Sequence, residues 1–186
     1  MFITITGVPG SGKTTVAKRL SKECGIPWYS MGDLRGKMAE DRGLTIDQLN
    51  KLGETESFTD TEIDAYQKKL GEAGKDCIVE GRLSWYFIPH SFKLFLDVEP
   101  AKGGERVYRA RLANHRSDEP LYTSAEEAAQ FAKERIASDV KRYQKYYGVD
   151  FLNHANYDAV IDTSDMTVDQ MMEKIMIELS NQNSKK

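Results

Sequence analysis

The feature that most constrains this chain is a glycine-rich stretch between two structured patterns, Gly7-Val8-Pro9-Gly10-Ser11-Gly12-Lys13-Thr14. It fits G-x-x-x-x-G-K-[ST], it follows a β-rich run over Phe2–Thr6, and it opens a helical pattern over Lys13–Cys24. Its glycines permit backbone conformations in which successive N–H groups and the helix N-terminus point at anionic oxygens. The stretch therefore predicts a strand, loop and helix that bind phosphate.

The loop also predicts roles on the donor side of a phosphoryl transfer. Lys13 would reach the β- and γ-phosphates of ATP, and the Thr14 hydroxyl would join the Mg²⁺ shell. The loop alone does not distinguish a kinase from an ATPase or a GTPase. A D-x-x-G pattern occurs at 33–36, but the N-K-x-D guanine signature is absent, so a GTPase is not expected. The loop residues predicted to bind the donor are Gly7, Val8, Pro9, Gly10, Ser11, Gly12, Lys13, Thr14 and Thr15.

Composition excludes several other classes of protein. The chain has 186 residues and a formal net charge of -3, which suits one soluble domain and argues against a nucleic-acid binder with a basic surface. No run approaches the ~20 apolar residues of a membrane helix, and the N-terminus lacks a signal peptide's basic region. Cys24 and Cys77 stand alone, as expected of free thiols in a reducing cytoplasm. The three histidines are scattered, so no zinc site is expected.

Short apolar runs alternate with helical patterns along the rest of the chain. Further strands are predicted over Ile26–Met31, Cys77–Glu80, Lys93–Val98 and Asp158–Asp162. Strands that alternate with helices indicate a parallel sheet with helices on both faces. Five strands leave two long helical insertions, at about 33–75 and about 101–150, and such insertions usually carry substrate contacts or a moving lid.

Three helix starts have capping-box form: Thr59-x-x-Glu62, Ser124-x-x-Glu127 and Thr167-x-x-Gln170. The last precedes a group at helical spacing that is expected to be core, Met171, Met172, Ile175 and Leu179.

The third predicted strand ends in a carboxylate, a glycine and a guanidinium, at Glu80, Gly81 and Arg82. The carboxyl ends of parallel strands open into the ligand crevice of such folds. Arg82 can bind a substrate phosphate there, and Glu80 can accept hydrogen bonds from a base or hold a metal-bound water. The alternative is a local ion pair between Glu80 and Arg82.

The second insertion carries Arg135, Asp139 and Arg142 at i, i+4 and i+7, on one face of a helix. An adjacent apolar stripe would seat this helix and aim both arginines at the cleft, with Asp139 holding them. The alternative is a solvated charged face. A basic cluster with Arg106, Arg109 and Arg111 precedes it, on a helix expected to lead into a lid. Arginines of this kind stabilise charge on the γ-oxygens during transfer.

Together these stretches resemble the cytidylate (CMP) kinases, and most closely the short archaeal-type branch of that nucleoside monophosphate (NMP) kinase family. The resemblance covers nearly the whole chain and rests on four stretches: ITGVPGSGKTTVAKRL, VEGRLSWY, ERIASDVKRYQKYYGVD and YDAVIDTS. It implies a P-loop three-layer α/β/α fold with a five-stranded parallel sheet, plus an NMP-binding and a lid insertion. The core would comprise about 1–32, 76–100 and 150–180, the NMP-binding insertion about 33–75 and the lid region about 101–149, within one kinase domain over 1–186.

The same resemblance implies the site. Lys13, Arg135, Asp139 and Arg142 would be catalytic, and Arg106 would join the loop in binding ATP with Mg²⁺. The residues that would contact the acceptor are Ser30, Gly32, Asp33, Arg35, Asp60, Asp64, Glu80, Gly81 and Arg82. For Asp60, the alternative is a helix N-terminus, which favours acidic residues.

The chain departs from this family in three places. The family places an arginine in register with Gly36, where this chain has Arg35 and Lys37 on either side. The stretch 114–123 looks longer than the family's lid joint. The sequence EGRL lacks the aspartate of the bacterial DGRD, so a preference between ribose and deoxyribose does not carry over.

The expected function is transfer of the ATP γ-phosphate to CMP or dCMP. Two alternatives stay open: a kinase for AMP, UMP or a small metabolite, and a regulatory module that binds ATP without transferring phosphate. The expected partners are small-molecule nucleotides, without nucleic acid or membrane, and the expected protein is a cytoplasmic monomer.

Overall fold

The computed structural model describes residues 1–113 and 121–183. Its centre is one parallel sheet of five strands in the order β2-β3-β1-β4-β5. The strands are β1 (Phe2–Gly7), β2 (Trp28–Ser30), β3 (Cys77–Glu80), β4 (Phe92–Asp97) and β5 (Ala159–Asp162). The predicted parallel sheet is confirmed. Most of the stretch 114–123 and the chain end at 184–186 lie outside the described residues.

Eight α-helices occur within the described ranges. They are α1 (Lys13–Cys24), α2 (Met31–Asp41), α3 (Ile46–Gly53), α4 (Phe58–Glu72), α5 (Ser84–Phe87), α6 (Pro100–Leu112), α7 (Ala125–Tyr147) and α8 (Val168–Asn183). A 3₁₀ turn over His154–Asn156 precedes β5. None of these helices, in the part of the chain that is described, is long and apolar enough to cross a membrane.

The two faces of the sheet bury different side chains, as alternation along a strand requires. Ile78 of β3 packs in a core with α1 and α8, whereas its neighbours Cys77 and Val79 pack with α2, α3 and α4. Helices on both faces make the three-layer α/β/α arrangement that the sequence predicts. The methionine group before Leu179 lies in the first of these cores, as predicted.

The sequence places some boundaries correctly and others wrongly. Helix α1 ends at Cys24 with Gly25 in the left-handed conformation (φ 67°), as predicted. The second strand is shorter than predicted, because the Ser30 hydroxyl accepts a hydrogen bond from Asp33 N (3.1 Å) and caps a helix that begins at Met31.

Two of the three predicted capping boxes mark helix starts, at Ser124 and Thr167. The third is wrong. Helix α4 begins at Phe58, the Thr59 hydroxyl donates to the Glu56 carbonyl (3.2 Å), and Glu62 accepts from Arg42 (3.1 Å). An unpredicted capping box starts α3, where Thr45 pairs with Gln48.

Candidate active site

The glycine-rich loop lies at the carboxyl end of the central strand and leads directly into α1. Gly10 (φ 76°) and Gly12 (φ 88°) take the left-handed conformation that other residues resist. The loop is closed by Lys13, whose Nζ donates to the Val8 carbonyl (2.7 Å). A Cβ on Gly10 would lie 2.3 Å from the Gly103 carbonyl of α6, so the second insertion begins in contact with the loop. A phosphate-binding loop is thus formed where the sequence predicts it.

Glu80 lies beside this loop, because β3 is the neighbour of β1 and Glu80 is in register with Ile5. The Thr14 hydroxyl donates to Glu80 Oε1 (2.8 Å). A hydroxyl and a carboxylate in contact beside a phosphate loop form the protein part of the Mg²⁺ site in P-loop enzymes. Among residues 1–113 and 121–183, no group of three or more His, Cys, Asp or Glu side chains is arranged so that it could hold a metal ion. The contact with Thr14 favours the metal-side role of Glu80 over a contact with the acceptor base.

Arg82 joins the phosphate loop to the second insertion. Its Nη1 donates to the Gly7 carbonyl and its Nε donates to Asp139 Oδ2 (2.9 Å) on α7. Its guanidinium also lies over the Phe151 ring, 5.4 Å from the centroid. Arg82 is therefore held in one place at the wall of the cleft.

Asp139 and Arg142 continue this network into the protein interior. Arg142 is fully buried, and its Nη1 donates to both carboxylate oxygens of Asp60 (2.5 and 2.7 Å) while Nη2 donates to Asp139. Burial alone would raise the pKa of Asp139, but the facing guanidiniums of Arg82 and Arg142 lower that pKa below its ordinary value. The alternative of a solvated charged face is therefore excluded for Asp139 and Arg142.

Arg35 also binds the carboxylate of Asp60. Its Nη1 donates to Asp60 Oδ1 (3.0 Å) and to the Thr59 carbonyl (2.8 Å), and its Nε donates to Asn50 Oδ1 (2.7 Å). These bonds tie α2 to α3 and α4 inside the first insertion. Lys37 of the same helix also lines the cleft.

Asp64 follows Asp60 by one turn of α4 and is also buried. Tyr147 donates its hydroxyl hydrogen to Asp64, and Gln67 Nε2 donates to Asp64 Oδ1 (3.3 Å). Burial, opposed by the Tyr147 hydrogen bond, raises the pKa of Asp64 to about 6. Gln67 in turn accepts from Ser84 (2.7 Å), just after the EGRL stretch.

The carboxyl-terminal half of α7 is fastened to the first insertion. Four of its side chains bind Glu54 or Gly53: Ser138, Lys141, Lys145 and Tyr146. Lys145 reaches the Glu54 carbonyl (2.8 Å) and Tyr146 reaches the Gly53 carbonyl (2.9 Å). The hydrogen bond from the Lys141 ammonium lowers the pKa of Glu54 below its ordinary value. The two insertions are therefore in direct contact.

A single cleft of about 1530 Å³ collects most of the predicted site residues. Those that line it are Pro9, Gly10, Gly12, Lys13, Thr14, Thr15, Ser30, Gly32, Asp33, Arg35, Asp60, Asp64, Glu80, Gly81, Arg82, Arg106, Arg135 and Asp139. Gly7, Val8, Ser11 and Arg142 do not line it. Ligand pockets usually measure ~300–1,000 Å³, so this cleft has room for two nucleotides.

Two arginines are placed differently from what the sequence suggests. Arg142 does not face the cleft in this conformation, because the carboxylates of Asp60 and Asp139 bind it in the interior. Arg106 lines the cleft, but its guanidinium also donates to the carbonyls of Gly10 (3.3 Å) and Thr163 (2.7 Å). It thereby joins the phosphate loop to the segment between β5 and α8.

Sequence reasoning missed several buried polar residues of the cleft. Asn50 and Gln67 are 4 % and 2 % exposed and both line it. A single Asn or Gln that belongs to no sequence motif gives no pattern from which its place in the cleft can be predicted. The Thr45-x-x-Gln48 capping box, which begins the helix that carries Asn50, was the available signal.

The phosphate loop, the parallel sheet and the two helical insertions define a P-loop fold of the small-kinase type. Shikimate kinase from Aquifex aeolicus shares this fold, with a TM-score of 0.60 at 20% identity over 98% of both chains. Shikimate kinase from Bacteroides thetaiotaomicron has a TM-score of 0.64 at 15% identity, over 97% of this chain and 98% of its own.

Sequence comparison identifies the family within this class of P-loop folds. Residues 2–165 match the model of the cytidylate kinase-like family. The cytidylate kinase of Methanocella arvoryzae is 35% identical over 164 residues, and that of Methanothrix thermoacetophila 36% over 163 residues, each covering 88% of both chains. The chain belongs to the cytidylate kinase-like family.

Proposed function

We propose that this protein transfers the γ-phosphate of ATP to the phosphate of CMP or dCMP. An acceptor phosphate oxygen bonds to the γ-phosphorus, the bond to the β,γ-bridging oxygen breaks, and ADP leaves as CDP or dCDP forms. The observation that carries the proposal is one cleft with a phosphate loop at one end and a buried, charged wall at the other. A site for a single nucleotide would not need a charged wall opposite the phosphate loop.

The donor would be held by the loop amides and Lys13, with Arg106 beside it. Thr14 and Glu80 fit a Mg²⁺ ion, because their oxygens are in contact next to the loop. Mg²⁺ supplies neutralisation of the charge on the β- and γ-phosphates when it is bound. No dedicated general base is needed, since the acceptor phosphate is already anionic and catalysis rests on positioning and electrostatics.

The acceptor would lie between the two insertions, at about 33–75 and about 101–149. Arg82 and Arg135 line the cleft and are the arginines that we assign to the transferred phosphate. We assign Arg142 to holding Asp139 and Asp60, since it is buried between them. For the acceptor phosphate, Arg35 and Lys37 remain the two candidates in place of the arginine expected at Gly36.

The direct test measures ADP formation from MgATP with one acceptor at a time: CMP, dCMP, UMP, AMP and GMP. Strong turnover with CMP or dCMP alone supports the proposal. Strong turnover with another nucleotide would show that the protein is a kinase for a different acceptor. ATP binding without turnover on any nucleotide would favour a small-metabolite acceptor or a regulatory module.

Arg135→Ala separates a kinase from a module that only binds ATP. We expect the variant to lose at least ~10³-fold in kcat with CMP, because supplied arginines contribute ~10³–10⁵ in this reaction class. ATP affinity should be largely retained. Unchanged kcat would contradict the assigned role.

A further inference from the structure

Asn50 of α3 has a feature that the proposed function does not use. It is 4 % exposed, it lines the cleft, and its Nδ2 has no hydrogen-bond partner in the part of the chain that is described. An unmatched buried donor costs free energy, and native proteins retain few of them. A ligand with an acceptor atom would satisfy this donor.

The orientation of this carboxamide is fixed by its neighbour. Arg35 Nε lies 2.7 Å from Asn50 Oδ1, and an arginine nitrogen can only donate. The oxygen must face Arg35, so the group left over is Nδ2, which can only donate. Arg35 is itself held by Asp60 and by the Thr59 carbonyl, so the amide cannot turn over without breaking a charge-assisted bond.

The place of Asn50 in the cleft indicates which part of an acceptor it meets. Under the proposed function, phosphate transfer takes place at Lys13, beside the loop. Asn50 is at the far end of a chain of contacts that starts at the Gly7 carbonyl of that loop and runs through Arg82, Asp139, Arg142, Asp60 and Arg35. The part of the first insertion that lines the cleft also contributes the apolar Ala39, Ile46 and Ile63, which suit a base better than a phosphate.

We propose that Asn50 recognises the base of the acceptor nucleotide, with Nδ2 donating to a ring acceptor atom. This inference rests on the proposed function. Cytosine offers two adjacent acceptors, the O2 carbonyl and N3, to a fixed N–H donor. Uracil offers O2, but its N3 carries a hydrogen and cannot accept.

Asn50→Asp removes the N–H donor at this position and keeps the hydrogen bond with Arg35. The aspartate is nearly isosteric, one oxygen still accepts from Arg35 Nε, and the second atom changes from a donor to an acceptor. We expect kcat/KM for CMP to fall at least about 10-fold and the Ki of cytidine as a competitor to rise by a similar factor. The KM for ATP and the thermal midpoint should stay close to wild type. Asn181→Asp, on the exposed surface of α8, is the matched control and should change none of these values.

The kcat/KM of the Asn50→Asp variant for UMP identifies which atom of the base Nδ2 binds. If Nδ2 meets N3, the carboxylate of the variant accepts the N3–H of uracil, and kcat/KM for UMP rises or holds while that for CMP falls. If Nδ2 binds O2, kcat/KM falls for both CMP and UMP. Either result supports base recognition when the Ki of cytidine rises with it.

Other results would overturn it. A purely positioning role for Asn50 predicts that Asn50→Asp keeps activity with CMP and that Asn50→Ala loses it. An unchanged Ki for cytidine would place the contact at the phosphate, and an altered preference between CMP and dCMP would place it at the 2′-hydroxyl. Failure of the proposed function is a separate result, because it appears as wild-type protein that does not phosphorylate CMP.

Discussion

At the scale of single residues, one wall of the cleft contains a buried network of ion pairs. These pairs join Arg35, Arg82 and Arg142 to Asp60 and Asp139. A buried charge is costly unless it is paired, so each member of the network depends on its partners.

Asp139→Asn tests how much this network depends on its central carboxylate. The substitution keeps the shape of the side chain but removes the charge that faces Arg82 and Arg142. Breaking a buried pair costs about 3–5 kcal/mol, so we expect the free energy of unfolding to fall by about 3 kcal/mol in urea titrations. A loss below about 1 kcal/mol would show that water or a rearranged side chain replaces Asp139. Asp165→Asn, at an exposed ion pair with Lys102, is the control.

Asp64 makes stability depend on pH in the direction opposite to an ordinary carboxylate. Its pKa is raised from 3.8 to about 6 in the folded protein, so the folded state binds the proton more tightly than the unfolded state. Its contribution is therefore complete below about pH 4 and is lost as the pH rises through 6. A shift of this size corresponds to about 3 kcal/mol. We expect Asp64→Asn to gain stability relative to wild type, by up to that amount, between pH 4 and pH 7.

Urea unfolding of both proteins across this pH range measures the difference directly. Tyr147→Phe removes the hydroxyl that donates to Asp64. That variant should move the pH dependence to higher pH, because the bond favours the ionised carboxylate. A stability difference that does not vary with pH would show that Asp64 titrates normally.

At the scale of elements, α7 is the piece that unites the site. The i, i+4, i+7 spacing correctly predicts that Arg135, Asp139 and Arg142 share a helix, and the EGRL stretch correctly predicts a charged strand end. The sequence does not reveal that Asp60 binds Arg142 or that Arg35 binds Asn50, because these pairs join residues 82 and 15 positions apart. Helical spacing describes one face, whereas the partner of that face depends on how the insertions pack.

The contacts between α7 and Glu54 predict that binding of the acceptor nucleotide changes the affinity for the donor nucleotide. We expect CMP to tighten the binding of a non-hydrolysable ATP analogue at least about 5-fold in the wild type. Glu54→Ala removes the carboxylate that Ser138 and Lys141 bind, and it should lower this factor towards one. Exposed ion pairs contribute little, so stability should fall by less than about 1 kcal/mol. Calorimetric titration with and without CMP measures the factor.

Glu62→Ala is the matched control for this experiment. Glu62 lies in the same insertion but pairs with Arg42, also in that insertion, and not with α7. An equal loss of coupling in both variants, or no loss in Glu54→Ala, would show that communication does not pass through this contact.

At the scale of the whole molecule, the sequence is most informative where a pattern is local. The phosphate loop, five strands and most helix starts follow from alternation, glycines and caps within a few residues. The Thr59 box fails because its partners are used by tertiary contacts, with Glu62 bound to Arg42. Arg142 is likewise predicted to face the cleft and is instead drawn inward by Asp60. Both differences arise where long-range packing outweighs a local preference.

The size of the cleft predicts that one ligand can fill both halves. A bisubstrate analogue, adenosine and cytidine joined through a polyphosphate chain, should raise the thermal midpoint more than ATP or CMP at the same concentration, because a ligand that fills both halves binds more tightly. At one hundred times Kd a ligand stabilises by about 2.7 kcal/mol, or roughly 5–10 °C for a chain of this size. Lys13→Met should remove most of the gain, and Lys22→Met at the far end of α1 should not. A shift equal to that of CMP alone would show that the halves are not filled together.

The position of β1 also has a consequence for how the protein is made. This strand is central in the sheet, yet its neighbours begin only at Cys77 and Phe92, after the whole first insertion has been translated. At about 5–20 residues per second, the ribosome leaves β1 waiting for roughly 4–15 s before either partner exists. During that time Ile3 and Ile5, fully buried in the finished protein, have no sheet to join. The strand at the centre of the native sheet is thus open to mispairing during this interval.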